Sequence, residues 1–254
     1  MRELLDYILY ENDISYNNLI AGEILEKCLQ KNAFDKEILT ISDEQFFGSP
    51  WDNAALRKVY FNRLNNLFPE AKYILVLREQ VSMTQSLYLQ YIKSGGTANW
   101  RQFLTHKKHP LQFSLKDYLN YGVYYQYIIN KVDRDNVCIL NFDHFKKDQI
   151  KFLIKLSNFI GFQIKSDINH IVKVKSNPSI GGYNARFLRI CNKLLSSERF
   201  PFQLLPRVIQ KVFFKLLIST PQIGSKNIIP NNFVEDFCES VKVNNALLPK
   251  DINL

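Results

Sequence analysis

The chain has 254 residues, of which 46% are hydrophobic and 22% are charged, the composition of an ordinary soluble globular protein. Its length is sufficient for one large α/β domain or two small ones. The 33 Lys and Arg against 24 Asp and Glu give a formal net charge of +9, which favours anionic partners, although a solvated basic surface has the same composition.

Cysteine spacing and hydropathy exclude several classes of protein. The four cysteines are far apart in the sequence: Cys28, Cys138, Cys191 and Cys238. No pair or His/Cys cluster has the spacing of metal ligands, so buried thiols in a reducing compartment are predicted. No apolar run approaches the roughly 20 residues that span a bilayer, and the acidic N-terminus without a cleavage-like site excludes a signal peptide. A cytoplasmic location is therefore predicted.

The first elements are predicted from the spacing of apolar residues. Residues 1–11 and 17–31 have helical spacing. Residues 37–42, EILTIS, predict a short strand, and the turn-like segment DEQFFGSPWD follows it. A further helix is predicted over residues 53–68, and Pro69 ends it.

The central stretch KYILVLREQVSMTQSLYLQYIKSGG combines a strand with a helix. Residues 72–78 are apolar at almost every position, as in a parallel strand that helices cover on both faces. Residues 82–94 have helical spacing, and Ser82 followed by Gln85 fits a capping box, in which each member satisfies a free backbone N–H. Arg78 therefore ends a buried strand just before a helix.

The alternation of strands and helices continues in the second half. A helix is predicted over residues 114–132, a strand and its turn over residues 136–145, and a helix over residues 149–162. This alternation predicts a three-layer α/β fold, with a parallel sheet flanked by helices. The final third, from about residue 184, is mostly helical. Its basic and apolar middle predicts a helix that covers the sheet, with an interfacial helix, and hence peripheral membrane association, as the alternative.

Arg78, followed eight residues later by Ser86 and a Leu-Tyr pair, resembles the 3′-phosphate-binding segment of sulfotransferases that use 3′-phosphoadenosine 5′-phosphosulfate (PAPS). That segment is a buried strand ending in Arg, then an acidic or Asn residue, usually Pro, and a helical Ser-x-Tyr. Glu79 fits this pattern, whereas Gln80 replaces the proline. ILTISDEQFF, NVCILNFDHFKKDQIKFLIKLSNFIGF and FCESVKVNNALL are similar to further blocks of bacterial carbohydrate sulfotransferases.

The resemblance covers residues 37–165 well and the remainder loosely. It implies a P-loop nucleotide-kinase-like fold in a single domain over residues 1–254. In that domain residues 1–36 are a helical lead-in, residues 37–165 hold the sheet core with the 3′-phosphate site, and residues 166–254 are a mostly helical cover. The implied activity is transfer of a sulfuryl group from PAPS to a hydroxyl of a carbohydrate-type acceptor, without a metal.

The resemblance also implies that Arg78 and Ser86 bind the 3′-phosphate, with Ser82 in a secondary role. The chemistry of the residues agrees, because a phosphate with about two charges suits a planar cationic fork and hydroxyl donors. The carboxyl end of a parallel strand is where open α/β sheets bind ligands, and a helix N-terminus adds free N–H groups. The alternative is a salt bridge from Arg78 to Glu79 or Glu70, with Ser82 only a cap.

Other parts of the family pattern are missing or only loosely matched. The Gly-, Lys- and Thr-rich loop that binds the 5′-phosphosulfate has no counterpart in this sequence, since Gly22 lies inside a helical run. Two explanations stay open: a strand–loop–helix unit encoded upstream of Met1, or a degenerate member that keeps the scaffold without the transfer chemistry. Lys175, in the basic segment VKVKSNPSIGGYNARF, is the candidate for the loop that closes over the nucleotide.

The acceptor hydroxyl needs a general base. No His follows the ILTIS strand, where some family members place a catalytic His, so Glu44 is the candidate base and Asp43 the second choice. An acidic N-cap for the following turn is an equally good interpretation of either residue.

Two other classes of function compete with sulfuryl transfer. The first is a non-catalytic protein of the same fold that binds an anionic polysaccharide or a partner enzyme. The second is nucleic-acid binding, which ranks last because THKKH and FKKDQIKF are too short and resemble a loop and the face of an amphipathic helix. The sequence leaves the acceptor and the oligomeric state open.

Overall fold

The computed structural model describes residues 1–32, 38–50, 56–105, 115–162, 182–195, 228–252 and 254. These residues form a mixed α/β structure that is mostly helical and contains a parallel sheet of two strands. The α/β class is therefore confirmed. Among the described helices, none is long and apolar enough to cross a membrane.

Helices dominate the order of elements along the chain. Helices α1 (Arg2–Tyr10) and α2 (Asn18–Asn32) precede a 3-10 turn (Glu44–Phe47) and α3 (Arg57–Leu67). Strand β1 (Tyr73–Leu77) leads into α4 (Gln80–Lys93), α5 (Trp100–Thr105), α6 (Leu115–Leu119) and α7 (Tyr121–Ile129). After a 3-10 turn (Arg134–Asn136), β2 (Val137–Asn141) continues into α8 (Phe142–Lys147) and α9 (Gln149–Ile160). The last elements are α10 (Gly182–Leu195), α11 (Asn231–Lys242) and a 3-10 turn (Val243–Leu247).

The chain divides into two compact units. The first unit consists of Met1–Leu75, Lys107–Ile139 and Asn244–Pro249. The second unit consists of Val76–His106, Leu140–Val243 and Lys250–Leu254. The boundaries predicted after residues 36 and 165 both lie outside the described residues.

In the first unit, the buried side chain of Arg57 joins α3 to the segment of α6. Its Nη2 donates a hydrogen bond to the carbonyl oxygen of Asp117 at 2.9 Å, and its Nη1 donates to that of Tyr118 at 3.3 Å. The guanidinium carbon lies 4.5 Å from the ring centre of Tyr124. Both carbonyls, the ring of Tyr124 and the charge of Asp117 favour this cation against the cost of its burial.

The same contact corrects the prediction of one helix over residues 114–132. Asn120 separates α6 from α7 with a non-helical backbone, φ −80° and ψ 71°. In a continuous helix the carbonyls of Asp117 and Tyr118 would accept from amides four residues later. Arg57 supplies hydrogen bonds to both carbonyls instead, and so compensates for the break.

Two strand predictions are also corrected. The described part of residues 37–42 contains no strand, and Ile38 and Leu39 are exposed there. A segment whose residues favour a strand forms one only where a neighbouring strand pairs with its backbone N–H and C=O groups. Strand β1 forms as predicted but is not buried on both faces. Ile74 is 37% exposed and Val76 is 52% exposed within the described structure, since alternate side chains point away from the packed face.

In the second unit, α4 packs against α10 and α11. The side-chain amide of Asn192 donates to the carbonyl oxygens of Ile92, at 2.8 Å, and Gly96, at 3.0 Å, at the end of α4. Gln85 donates to the carbonyl of Ile229 at 2.6 Å and accepts from its amide at 3.2 Å. These buried polar contacts position α4, and with it the turn that precedes the helix.

In the first unit, Gly122 and Gly22 both lie in helices and form a matched pair for a test of the contact between α7 and Asn244. A methyl group at Gly122, in α7, would overlap the carbonyl oxygen of Asn244, whereas one at Gly22, in α2, would meet no atom within 4 Å. We expect Gly122→Ala to lower the free energy of unfolding by roughly 1–3 kcal/mol through overpacking. We expect Gly22→Ala to raise it by about 0.5–1 kcal/mol, because alanine favours the helix. Urea unfolding of both variants measures the difference, and equal effects would contradict the described contact.

Candidate functional site

The turn between β1 and α4 is organised by Glu79, the N-cap of α4. Its carboxylate accepts from the amide of Val81 at 3.0 Å and from that of Ser82 at 2.8 Å. It also forms an ion pair with Lys242 of α11, at 3.2 Å. Two of the four free N–H groups at this helix end are thereby satisfied, as N-capping requires.

The capping box predicted for Ser82 and Gln85 is therefore wrong. Ser82 is the third residue of α4, and Glu79 occupies the cap position. Gln85 is buried and bonds to the backbone of Ile229 instead of reaching back to the start of the helix. The prediction that the helix N-terminus offers its amides to an anion is corrected with it, because the carboxylate of Glu79 already accepts from those of Val81 and Ser82.

Arg78 lies between β1 and this cap and is partly buried. Its Nε donates to the Oγ of Ser82 at 2.9 Å, and its guanidinium carbon lies 5.9 Å from the ring centre of Phe142. Within the described structure, neither terminal nitrogen of Arg78 donates a hydrogen bond and no carboxylate forms an ion pair with it. The alternative of a salt bridge to Glu79 is not observed, because Glu79 pairs with Lys242.

Asp143, which follows the end of β2, lies at the turn between β1 and α4. The strands are parallel, so the carboxyl ends of β1 and β2 lie at the same edge of the sheet. Asn141 caps the helix that follows by accepting from the amide of Asp143 at 2.7 Å. Asp143 accepts from the amide of Glu79 at 3.4 Å and from Nζ of Lys146 at 2.8 Å.

The pKa of Asp143 is held below its ordinary value. Burial opposes this shift, but the hydrogen bond and the charge of Lys146, the amide of Glu79 and the charge of Arg78 outweigh it. Asp143 is thus paired with Lys146, and Glu79 is paired with Lys242. The turn carries two carboxylates and three cations, so the charge of Arg78 is the one left in excess.

The two serines of the motif lie on one side of α4. Ser82 is bonded to Arg78, and Ser86 lies four residues further on, about 6 Å along the axis and on the same face. Both side chains are partly buried. Arg78 and Ser82 are therefore joined by a hydrogen bond, and the phosphate contacts of Arg78, Ser82 and Ser86 stay predictions.

The other predicted site residues lie in the first unit or outside the described residues. Glu44 is exposed in the 3-10 turn of the first unit, and Asp43 is the N-cap of that turn, where it accepts from the amide of Gln45 at 2.9 Å. The capping interpretation thus holds for Asp43. Lys175 lies outside the described residues, and Arg186, in the same basic segment, is exposed on α10. The described residues contain no group of three or more His, Cys, Asp or Glu that could hold a metal ion.

Sequence reasoning missed four charged or aromatic members of the site. Asp143 and Lys146 are spaced by three residues after a predicted strand, a pattern that could have indicated both. Phe142 follows the same strand. Lys242 carries no such signal, because it reaches Glu79 from a helix far along the chain.

No protein-family model, curated protein or solved structure matches the chain. The observed features are a cationic fork held from one side, two hydroxyls and two carboxylates that lysines neutralise.

The lowered pKa of Asp143 predicts a pH dependence of stability. A carboxylate with a depressed folded-state pKa stabilises the fold fully above its unfolded-state value, near pH 4, and loses this contribution as the pH falls through the folded-state pKa. We expect Asp143→Asn to cost at most about 1 kcal/mol at pH 7, because the pair with Lys146 is partly solvated. Urea unfolding should show this difference shrinking below about pH 4.

Asp135→Asn is the control for this experiment, because Asp135 is exposed and forms no ion pair within the described structure. A difference between wild type and Asp143→Asn that stays constant down to about pH 2 would contradict the described ion pair.

Proposed function

We propose that the chain binds the 3′-phosphate of an adenosine nucleotide at Arg78. The observation that carries this proposal is the guanidinium of Arg78, which Ser82 holds through Nε while both terminal nitrogens have no hydrogen-bond acceptor in the described structure. Those two nitrogens form the planar fork that binds two oxygens of one phosphate. The fork lies at the carboxyl end of β1, where α/β sheets bind ligands.

The surrounding charges are compatible with a dianionic ligand. Two carboxylates nearby would repel a phosphate, but Lys242 neutralises Glu79 and Lys146 neutralises Asp143. The hydroxyls of Ser82 and Ser86 add donors on the same face of α4. Affinity at this site therefore comes from Arg78 and the serines and not from the helix amides that Glu79 caps.

The proposed activity is sulfuryl transfer from PAPS to a hydroxyl of a carbohydrate-type acceptor. The acceptor oxygen would attack sulfur, the S–O bond to the 5′-phosphate would break, and adenosine 3′,5′-bisphosphate would leave. Glu44 is the proposed base that takes the acceptor proton, and Lys175 the proposed residue of the closing loop. We also propose that β1 and β2 belong to a larger parallel sheet, flanked by helices in a three-layer, P-loop-like fold.

Calorimetric titration tests the nucleotide site. We expect the chain to bind adenosine 3′,5′-bisphosphate more tightly than adenosine 5′-monophosphate, since only the first offers a phosphate to Arg78. Arg78→Met should weaken binding of the bisphosphate by roughly 10- to 100-fold, because charge-assisted hydrogen bonds to the 3′-phosphate are lost. Binding of the monophosphate should not change. The exposed Arg134 provides the control variant Arg134→Met, which removes the same charge elsewhere. Equal affinities of wild type for the two nucleotides would refute the proposed site.

A transfer assay separates the enzyme from a protein that only binds. With labelled PAPS and a set of oligosaccharide acceptors, we expect labelled product from wild type. Glu44→Gln should lower the rate roughly 100-fold or more, without a change in nucleotide affinity, if it removes the base. Nucleotide binding without any transfer would favour the non-catalytic alternative for this fold. An unchanged rate in Glu44→Gln would exclude that residue as the base.

A further inference from the structure

Helix α9 leaves part of its apolar surface uncovered. It lies in the second unit and packs against α8, where the rings of Phe145 and Phe152 are 5.1 Å apart. Ile150 and Ile154 are nevertheless 41% and 46% exposed, and Phe162, two residues beyond the helix, is 56% exposed. Single exposed apolar side chains are common on proteins, whereas neighbouring ones on one helix face indicate a contact surface.

The two isoleucines form a strip along α9. They are four residues apart and therefore lie one turn from each other on the same side of the helix. Leu153, Leu156 and Ile160 continue the apolar surface around the helix and are partly buried. The strip is thus the outer edge of an apolar arc that is wider than the part that the protein covers.

A row of lysines accompanies this strip. Lys151 and Lys155 each follow one of the isoleucines, so they lie about 100° further round the helix, along one flank of the strip. Both are exposed, as is Lys147 in the last turn of α8. Aliphatic side chains beside such a row are typical of helices in a membrane interface, where long lysine stems carry the ammonium groups to the lipid head groups.

Two of the nearby lysines are neutralised by carboxylates. Lys155 forms an ion pair with Asp251 at 2.8 Å, and Lys146 forms one with Asp143 at 2.8 Å. Each of these pairs has no net charge. They add little to the attraction of an anionic partner.

The remaining charged groups around the strip are mostly positive. Lys147, Lys151 and Lys250 are exposed and form no ion pair within the described structure. The carboxylate of Asp148 opposes them, although it also caps α9 by accepting from the amide of Lys151 at 2.9 Å. Three lysines against one carboxylate leave an excess of positive charge beside the apolar strip.

These properties decide between possible partners. In a symmetric pair of chains the same face of α9 would meet itself, which would bring lysines of one protomer close to those of its partner and cost affinity. Nucleic acid would use the lysines but not the isoleucines, because it is bound through phosphate and base contacts. An anionic lipid surface uses both groups of side chains.

We propose that the face of α9 with Ile150, Ile154 and Lys151, together with Lys147, binds the surface of an anionic membrane. The isoleucines enter the boundary between head groups and acyl chains, and the lysines contact anionic lipid head groups. This contact is separate from the interfacial helix that the sequence offers as an alternative in the final third, since residues 196–227 lie outside the described residues. It uses none of the residues proposed to bind the nucleotide, so either proposal can fail without the other.

The test is co-sedimentation of the full chain with lipid vesicles. We expect binding to vesicles of phosphatidylcholine with about 30% phosphatidylserine, and binding at least roughly tenfold weaker to pure phosphatidylcholine, because only the first kind attracts the lysines. Raising the NaCl concentration from about 0.05 M to about 0.5 M should release most of the bound chain through screening. Equal binding to both kinds of vesicle, or binding to neither, would overturn the proposal.

Two double variants locate the contact, because a net charge of +9 could attract the chain to anionic lipid at any part of its surface. Ile150→Ser with Ile154→Ser removes the strip and should weaken vesicle binding roughly 5- to 20-fold. Lys147→Gln with Lys151→Gln should weaken it roughly 10- to 30-fold, since each lysine near an anionic surface contributes about fivefold. The Tm should change little in either variant, because all four side chains are exposed.

Leu19→Ser with Lys27→Gln is the matched control. Leu19 and Lys27 are both exposed on α2, in the first unit, so this variant removes the same kinds of side chain from another helix. Its affinity for the anionic vesicles should stay within about twofold of wild type. A loss as large as in the two α9 variants would contradict the assignment of the contact to α9.

The same variants distinguish a membrane from a second copy of the chain. If the strip joined two copies, Ile150→Ser with Ile154→Ser would lower the oligomeric state in sedimentation velocity without lipid and would leave vesicle binding unchanged. If the lysine variant weakened binding and the isoleucine variant did not, the contact would be electrostatic without insertion. Either result would overturn the proposal, and we expect neither.

Discussion

The carboxylate of Glu79 is the contact on which the candidate site depends. It satisfies two amides at the start of α4 and the ammonium group of Lys242, and these three partners fix it on the helix side of the turn. The neighbouring Arg78 consequently keeps its charge available, although an acidic residue adjoins it in sequence. The carboxylate of Glu79 is thus engaged by the helix end and by Lys242, and it forms no ion pair with Arg78 in the described structure.

The chain uses its partly or fully buried arginines in different ways. Arg57 gives its terminal nitrogens to two backbone carbonyls and compensates for a helix break. Arg63 divides its hydrogen bonds between a carbonyl of α1 and Asp13. Arg78 is bonded only through Nε, to Ser82, within the described structure. Both terminal nitrogens of Arg78 therefore have no acceptor in the described structure, which separates this arginine from Arg57 and Arg63.

The parts of the site that could be predicted are those encoded by neighbouring residues. An apolar run ending in Arg78 predicts a strand end, and the helical spacing after it predicts α4, so the pairing of Arg78 with Ser82 follows from local geometry. The capping box was wrong because two good caps compete within four residues, and the contact of Gln85 with Ile229 removes one of them. Neither Lys242 nor Ile229 is near this turn in sequence, so no local pattern could have indicated the choice.

The sequence by itself determined the alternation of α and β elements, the position of β1 and β2, and the face of α4 that carries Ser82 and Ser86. These features depend on the periodicity of side chains along the backbone, which is a local property. Only the tertiary structure decided which charges are neutralised, where a helix is broken, and which apolar side chains of α9 are left uncovered. Those outcomes depend on contacts between residues far apart in the chain. Their free energy comes from burial and hydrogen bonding that no short segment contains.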